Sequence, residues 1–541
     1  VDGSVASPNV YVNAGGTLGG NGVLTGAVFN SGTVSPGHSP GTLTLGSYTQ
    51  SSTGSLVIEV ASSTVFDQLV VTQGARLNGT LRVIRLNNYQ PTKGTYITFL
   101  TAGDGVSGTF RKVKNDFIQP GSLVRLDVKY NPNDVGLVAS QNSFTSALAI
   151  VTDAGRPAYS LFKGITSNQI ATARALDRAL FDPRQKGIIT CLDNLKFDRI
   201  PHQLDLIAPE ELTSIYTLSF AQMETQFLSI EQRMADIRNT RDGQSAPDQP
   251  DSPPNGKSTP PEVVMKPDDR FGNFITATGN FTSQNGTANA GGYDLKTGGA
   301  LIGFDCRVTD SFSLGLAIGF DRTQSDLAEG GRLDVDGGRA ALYAQYYHDH
   351  GFFAQTILGG GYNSYDTGRT ALQGRAGGST NGGELDAAVN FGCDMELKSG
   401  LHITPLASLL YTLAGIDGYT EHGSMLPLRI QGQSQDALRS RLGLQASYEF
   451  KTPSALIVPS LSAQWQHAFT GTELDFDSRF ANGAGATYSV LGPDTGRDSA
   501  LLTAAVNILW GRYALYLAYQ ADVGRDNYES QSLLLGLRYS W

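Results

Sequence analysis

The chain has 541 residues, of which 64 are Gly, 40% are hydrophobic and 17% are charged, and its formal net charge is −10. With no block of Lys or Arg, that charge excludes a nucleic-acid partner, and no apolar run reaches the roughly 18 residues of a membrane-crossing helix. Cys191, Cys306 and Cys393 are isolated thiols without C-x-x-C spacing, and the seven His show no H-E-x-x-H spacing, so a disulfide framework, a metal site and a cofactor are all unsupported.

Residue 1 is Val, with no initiator Met and no signal peptide before it, which reads as the C-terminal part of a longer precursor. Residues 1–140 are rich in Gly, Thr, Ser and Val. "LVIEV", "DQLVVT", "LRVIRL", "TYITFL" and "VRLDVKY" recur between turn residues. Imperfect short repeats of this kind predict the end of a right-handed parallel β-helix, with a flat β-sandwich as the alternative. "GHSPG" at 37–41 has the G-x-S-x-G form of a nucleophile elbow, but "TLTLGSY" follows it and reads as strand, where an elbow requires a helix. A turn of the β-helix is the better account.

From 141 to 240 the spacing becomes helical. Leu212, Ile215, Tyr216, Phe220, Met223, Phe227, Ile230 and Met234 recur at three and four, after an opening of Pro209, Glu210 and Glu211. The polar face is mixed rather than basic, which favours a helix packed on its neighbours over one lying on a membrane surface. Residues 241–270 hold seven prolines and little to bury, and read as an extended, solvated linker.

From Phe271 to Trp541 twelve candidate strands start near 271, 295, 311, 337, 351, 382, 400, 435, 454, 498, 513 and 531. In "LDAAVNFGCDMEL" and "LRSRLGLQASYEF" apolar side chains alternate with a face carrying Asp386, Asp394, Glu396, Arg439, Arg441 and Glu449. A soluble sheet would hide the apolar face, whereas a membrane barrel turns it to lipid and keeps its charges in a wet lumen. Three features select the barrel. The strands reach about ten residues, the length a tilted strand needs to cross a bilayer. The polar face holds full charges, and aromatics gather near strand ends, among them Tyr346, Tyr347, Phe352, Phe353, Tyr448, Phe450, Trp510, Tyr513, Tyr539 and Trp541. An even strand number also closes without an edge, as lipid requires. The fold class is therefore mainly β: a β-helix end (1–140), a helical connecting region (141–240), a Pro-rich linker (241–270) and a 12-stranded antiparallel transmembrane β-barrel (271–541).

With these elements in order, the chain resembles the C-terminal portion of a type V autotransporter, the classical monomeric kind. "TVSPGHSPGTLTLGSYTQ" and "GSLVIEV…FDQLVVTQGARLNGTLRV" resemble the last passenger coils and their folding core, which the resemblance places at Val57, Ile58, Leu69 and Val71. "ITPLASLLYTLAGIDGYTEHGS", "RSRLGLQ", "PSLSAQWQHAF", "GRDSALLTAAVNI" and "GLRYSW" resemble successive barrel strands. Ala468 and Phe271 depart from the Glu and Trp that many members carry at these places.

The resemblance implies an outer-membrane barrel of a Gram-negative bacterium that secretes and anchors its own passenger, with residues 1–140 at the cell surface. It is no enzyme itself. Implied partners are outer-membrane lipids and lipopolysaccharide, the barrel-assembly machinery, periplasmic chaperones and the passenger. Leu535, Gly536, Leu537, Tyr539 and Trp541 match the assembly signal, although Leu534 stands where a polar residue is usual. Some members cut their own linker with an Asn and lumenal acids. Asn239, Asp386, Asp394, Glu396 and Glu421 are the residues available, but structural pairing of those acids with Arg439, Arg441 and Arg497 is the preferred expectation. The sequence leaves open whether the 212–238 helix or the linker fills the lumen. It also leaves open whether the stem is an adhesin or autoaggregation surface, or whether an enzymatic passenger lies before Val1.

Overall fold

The computed structural model describes residues 1–117, 123–148, 150–151, 159–160, 164–193, 195, 199–242, 270–348, 350–398 and 400–541. They form two compact units, one of residues 1–165 with 185–201 and the other of 166–184 with 202–541. The residues between 141 and 240 are thus shared between the two. The Pro-rich linker, apart from its ends, lies outside the described residues.

In the first unit, strands Val23–Asn30, Thr42–Gln50, Gln68–Val71 and Tyr96–Ala102 stack in parallel as one sheet. Thr17–Gly20, Thr33–Pro36, Ser55–Val60, Thr80–Arg85 and Lys112–Asn115 stack in parallel as a second. Register places like on like: Leu24 lies beside Leu45 and Leu45 beside Val71, while Val34, Leu56 and Leu81 form a second column. Each coil has too little apolar surface to bury alone and hides it on the next. The turn at Gly37–Gly41 joins Thr33–Pro36 to Thr42–Gln50, both strands. At the C-terminal end the hairpin of Val124–Tyr130 and Asp134–Gln141 pairs antiparallel on Tyr96–Ala102. Its outer strand carries Arg125, Asp127 and Lys129, charges that blunt an open edge.

Ile58, Leu69 and Val71 are buried in this core. Val57 is not: it sits beside Arg82 on the outer face, because side chains alternate along a strand and its neighbours Leu56 and Ile58 occupy the inner positions. Aspartate at Ile58 or Leu69 should therefore cost roughly 4 kcal/mol or more, and at Val57 less than about 1 kcal/mol. Protease resistance of the stem in the full chain measures the difference. Asp67 is buried too, and burial pushes its carboxyl up to about 6 although it accepts the N–H groups of Gly41 and Glu59. Between about pH 4 and 6 the folded stem then holds a proton that the unfolded chain has released, so its stability falls as pH rises through that window. A urea midpoint that climbs there would contradict this.

In the second unit twelve antiparallel strands close on themselves. They are β1 (Phe271–Gln284), β2 (Tyr293–Thr309), β3 (Phe312–Leu327), β4 (Arg332–Tyr347), β5 (Phe352–Ala371), β6 (Gly374–Cys393), β7 (Leu401–Ile416), β8 (Gln433–Tyr448), β9 (Leu456–Ala468), β10 (Asp498–Trp510), β11 (Tyr513–Arg525) and β12 (Tyr528–Ser540). β1 pairs with β12 from Gly272 beside Ser540 to Gln284 beside Tyr528, so no edge is left. Outward positions carry exposed Ile302, Phe304, Leu316, Ile318, Leu385, Phe391, Leu444 and Leu535, among others, while inward positions are buried. Cys306 and Cys393 also lie on the outward set. Turns are short at the end where β1 starts and β12 stops. Longer loops at the other end carry a small sheet of Tyr419–Thr420, Leu428–Ile430, Asp475–Phe480 and Tyr488–Leu491.

Candidate functional site

The barrel encloses a helix, Ser214–Asp242, whose described residues are mostly buried. Its periodic apolar residues Met223, Phe227, Ile230 and Met234 pack on inward Phe274, Leu301, Ala317, Ala341, Tyr343, Ile357, Ala388 and Leu410 of β1 to β7. Leu228, on another face, meets Ala518 and Leu534. That contact accounts for an apolar residue at 534, where the resemblance expects a polar one. The helix is buried all round because apolar and polar side chains are interspersed on the lumen wall, so its apolar stripe and its polar residues both find partners.

The polar contacts run the length of the helix. Near the loop end Thr217 meets the Tyr293 hydroxyl at 2.7 Å. Gln222 bonds Asp321 and Arg339. Glu224 pairs with Arg439 and, at 3.3 Å, with Arg441. Glu231 accepts from Asn390 at 2.9 Å. Near the other end the Arg233 guanidinium forks onto Asp305 at 2.6 and 2.8 Å and also pairs with Asp236. Asp236 is shared with Arg538 of β12 at 3.3 Å. Arg238 reaches Gln345 at 2.9 Å and stacks on the Phe353 ring.

Of the charges expected to face the lumen, Asp386, Arg439 and Arg441 are buried inside it. Asp394 and Glu449 sit at the short-turn end, half-buried around His402, at 3.2 and 3.9 Å. Glu396 is exposed and accepts the Gly400 N–H at 3.2 Å. It shares the inward parity of Asp394, but by Glu396 the strand has passed the barrel mouth, where inward no longer means enclosed.

In the terminal strand Leu535, Leu537, Tyr539 and Trp541 point outward, and Gly536 points inward. A Cβ on Gly536 would lie 1.9 Å from Cζ of Tyr516, whose ring crosses β12 at this gap so that its hydroxyl meets Thr276 of β1. The missing side chain thus lets one tyrosine tie β11, β12 and β1 across the closing seam. Tyr539, Trp541, Phe271 and Tyr513 form an aromatic group on the outside of the same seam.

Sequence reasoning missed two ties at the loop end. Arg369 and Glu421 form a buried bidentate pair at 2.7 and 3.0 Å. Asn168, in the helix Ser167–Arg178, bonds the backbone of Asn289 and both backbone groups of Leu491. No local pattern signals either, since the partners lie 52 and 121 to 323 residues apart.

The second unit is thus a closed barrel with an apolar exterior and a chain segment through its lumen. Residues 274–520, from β1 to β11, match the family model "Autotransporter beta-domain". The barrel is an autotransporter β-domain. It lies in the outer membrane of a Gram-negative bacterium. An extracellular serine protease of Serratia marcescens is 26% identical over 567 residues, covering all of this chain and 53% of the relative. Outer membrane protein B of Rickettsia typhi is 22% identical over 75% of this chain and 25% of its own. The chain spans about half the length, or less, of these curated relatives. Among solved structures, the translocator domain of the autotransporter NalP from Neisseria meningitidis aligns over 59% of this chain and 99% of its own, at 13% identity and a TM-score of 0.42.

Proposed function

We propose that Ser214–Asp242 is the stretch of connecting chain that stays in the pore once the passenger has crossed, and that residues 1–140 fold outside as the stem. The supporting observation is the direction of the helix. Its first turns lie at the long-loop end, beside Tyr293, and its last turns lie beside Asp305 and Arg538, at the end where β1 begins. A chain fixed in this sense leads outward to the stem and back inward to the first barrel strand. The stacked coils then bias movement outward, because a coil that has folded outside no longer fits the pore. The test is surface labelling of intact cells with an antibody to residues 1–140. Ile58→Asp with Leu69→Asp should reduce labelling several-fold while the barrel remains heat-modifiable in outer membranes; unchanged labelling would sink the ratchet.

Leu535, Gly536, Leu537, Tyr539 and Trp541 are, in this reading, the signal taken up by the barrel-assembly machinery, with periplasmic chaperones escorting the chain and lipopolysaccharide and other outer-membrane lipids covering the outward face. The protein functions as a monomer. A second reading concerns the passenger. Relatives named extracellular serine protease and esterase align with this chain, which supports an enzymatic cargo carried by the same barrel; the alternative of an adhesive stem predicts that residues 1–140 themselves bind cells. Assaying the precursor on whole cells for serine hydrolase labelling separates the two.

A further inference from the structure

The lumen wall is electrically two-sided around the middle of the helix. At this level β3 to β6 bring in the buried Asp321, Glu384 and Asp386 with Arg339, three acids to one base, while Arg369 of β5 lies nearer the loop end in its own pair with Glu421. β8 to β11 bring in Arg439, Arg441 and Arg525 with Asp522, three bases to one acid. The acid side is knitted together across β5 at Gly361, where a Cβ would press on Glu384 at 3.0 Å, so that Arg339 and Glu384 meet over the gap. The helix passes between the two sides with Gln222 against Arg339 and Asp321, and Glu224 against Arg439 and Arg441. Two residues turn a helix by about 200°, so these side chains point to nearly opposite walls. The carboxylate goes to the basic wall, and the neutral amide, which can both donate and accept, goes to the acidic one.

We propose that Glu224 is the register key of the lumenal helix. Its charge, acting through Arg439 and Arg441, determines which face of the helix each wall receives. This inference rests on the reading that the helix is retained in the pore. The apolar face alone does not fix the rotation. Its partners are spread over β1 to β7, a wide arc, whereas turning Glu224 towards Asp321, Glu384 and Asp386 would place a carboxylate among carboxylates in a low-dielectric lumen and take it away from Arg439 and Arg441. Charge opposition of this kind specifies by penalising the wrong arrangement as well as favouring the right one.

The test uses the full chain in outer membranes, with Cys191, Cys306 and Cys393 changed to Ser and a reporter pair Thr225→Cys and Ser532→Cys, whose native hydroxyls are 3.4 Å apart. Disulfide formation between helix and β12 then reads the rotation. In the Glu224 parent the pair should oxidise nearly completely. Glu224→Lys should cut the yield at least five-fold, and Glu224→Lys with Arg439→Glu should restore it to within two-fold of the parent, a rescue that a purely packing role would not give. Equal yield in Glu224→Lys, or no recovery in the charge swap, overturns the proposal. Should Glu224→Lys fail to assemble, Glu224→Gln decides, with a two- to three-fold loss expected and an unchanged yield overturning it. A parent that does not crosslink at all would instead overturn the retained-helix reading.

Discussion

Replacing Gly536 with valine is expected to lower the yield of closed, heat-modifiable barrel at least ten-fold. The Tyr516 ring occupies the place a side chain would take, is itself buried, and is held from both ends by its own strand and by Thr276. Overpacking such a site costs about 1–3 kcal/mol, and 1.4 kcal/mol already accounts for ten-fold. The effect should concentrate at closure, because β11, β12 and β1 all share the contact. Two companions separate causes. Tyr516→Phe, which removes only the hydrogen bond to Thr276, should cost about 1 kcal/mol. Gly536→Val with Tyr516→Ala vacates the space and should recover much of the folded yield. If the double variant is as poor as Gly536→Val alone, the glycine is required by whatever reads the terminal strand and not by the ring.

Removing the Arg233 side chain should release the inner end of the helix. Arg233→Ala leaves Asp305 and Asp236 buried without the guanidinium that joins them, although Arg538 still lies 3.3 Å from Asp236. Breaking a buried ion pair from one side costs about 3–5 kcal/mol. With helix docking as the step that carries the cost, the undocked population rises by a factor of a hundred or more. Single-channel recording of the full chain in planar bilayers should show larger and longer openings than the parent. Arg233→Lys keeps the charge but not the fork onto both oxygens of Asp305, and should fall between. Conductance traces that match the parent in Arg233→Ala would mean the helix is held elsewhere.

Alternation with period two was enough to find the barrel strands, and most starts fall within about three residues of those observed. The exceptions are instructive. β4 and β6 begin at Arg332 and Gly374, several residues ahead of the apolar alternation near 337 and 382. Their first residues face water beyond the bilayer on the loop side, so their outward positions have no reason to be apolar. The same rule assigns Val57 and Leu56 to opposite faces, but "LVIEV" is apolar at four of five positions, and composition alone does not say which pair turns inward. For Glu396 parity is right and depth is wrong, since nothing in the sequence marks where the mouth of the barrel ends.

The lumenal helix shows the other limit. Its three-and-four spacing predicted an apolar stripe, and that stripe is packed as expected, yet the residues off the stripe are buried as well. Their partners on the wall come from β2 to β6, β8, β11 and β12, and none of these is near in sequence. Choosing between helix and linker as occupant of the pore required the wall to be seen from inside.

By itself, the sequence determined the classes of element, the lipid-facing exterior and the aromatic closing strand, because these follow from side-chain periodicity against a solvent that is oily outside and wet within. Only the tertiary structure decided what fills the pore, why Gly536 must be bare and which arginine meets which acid. Those contacts join strands through registers and rotations that no short-range pattern encodes.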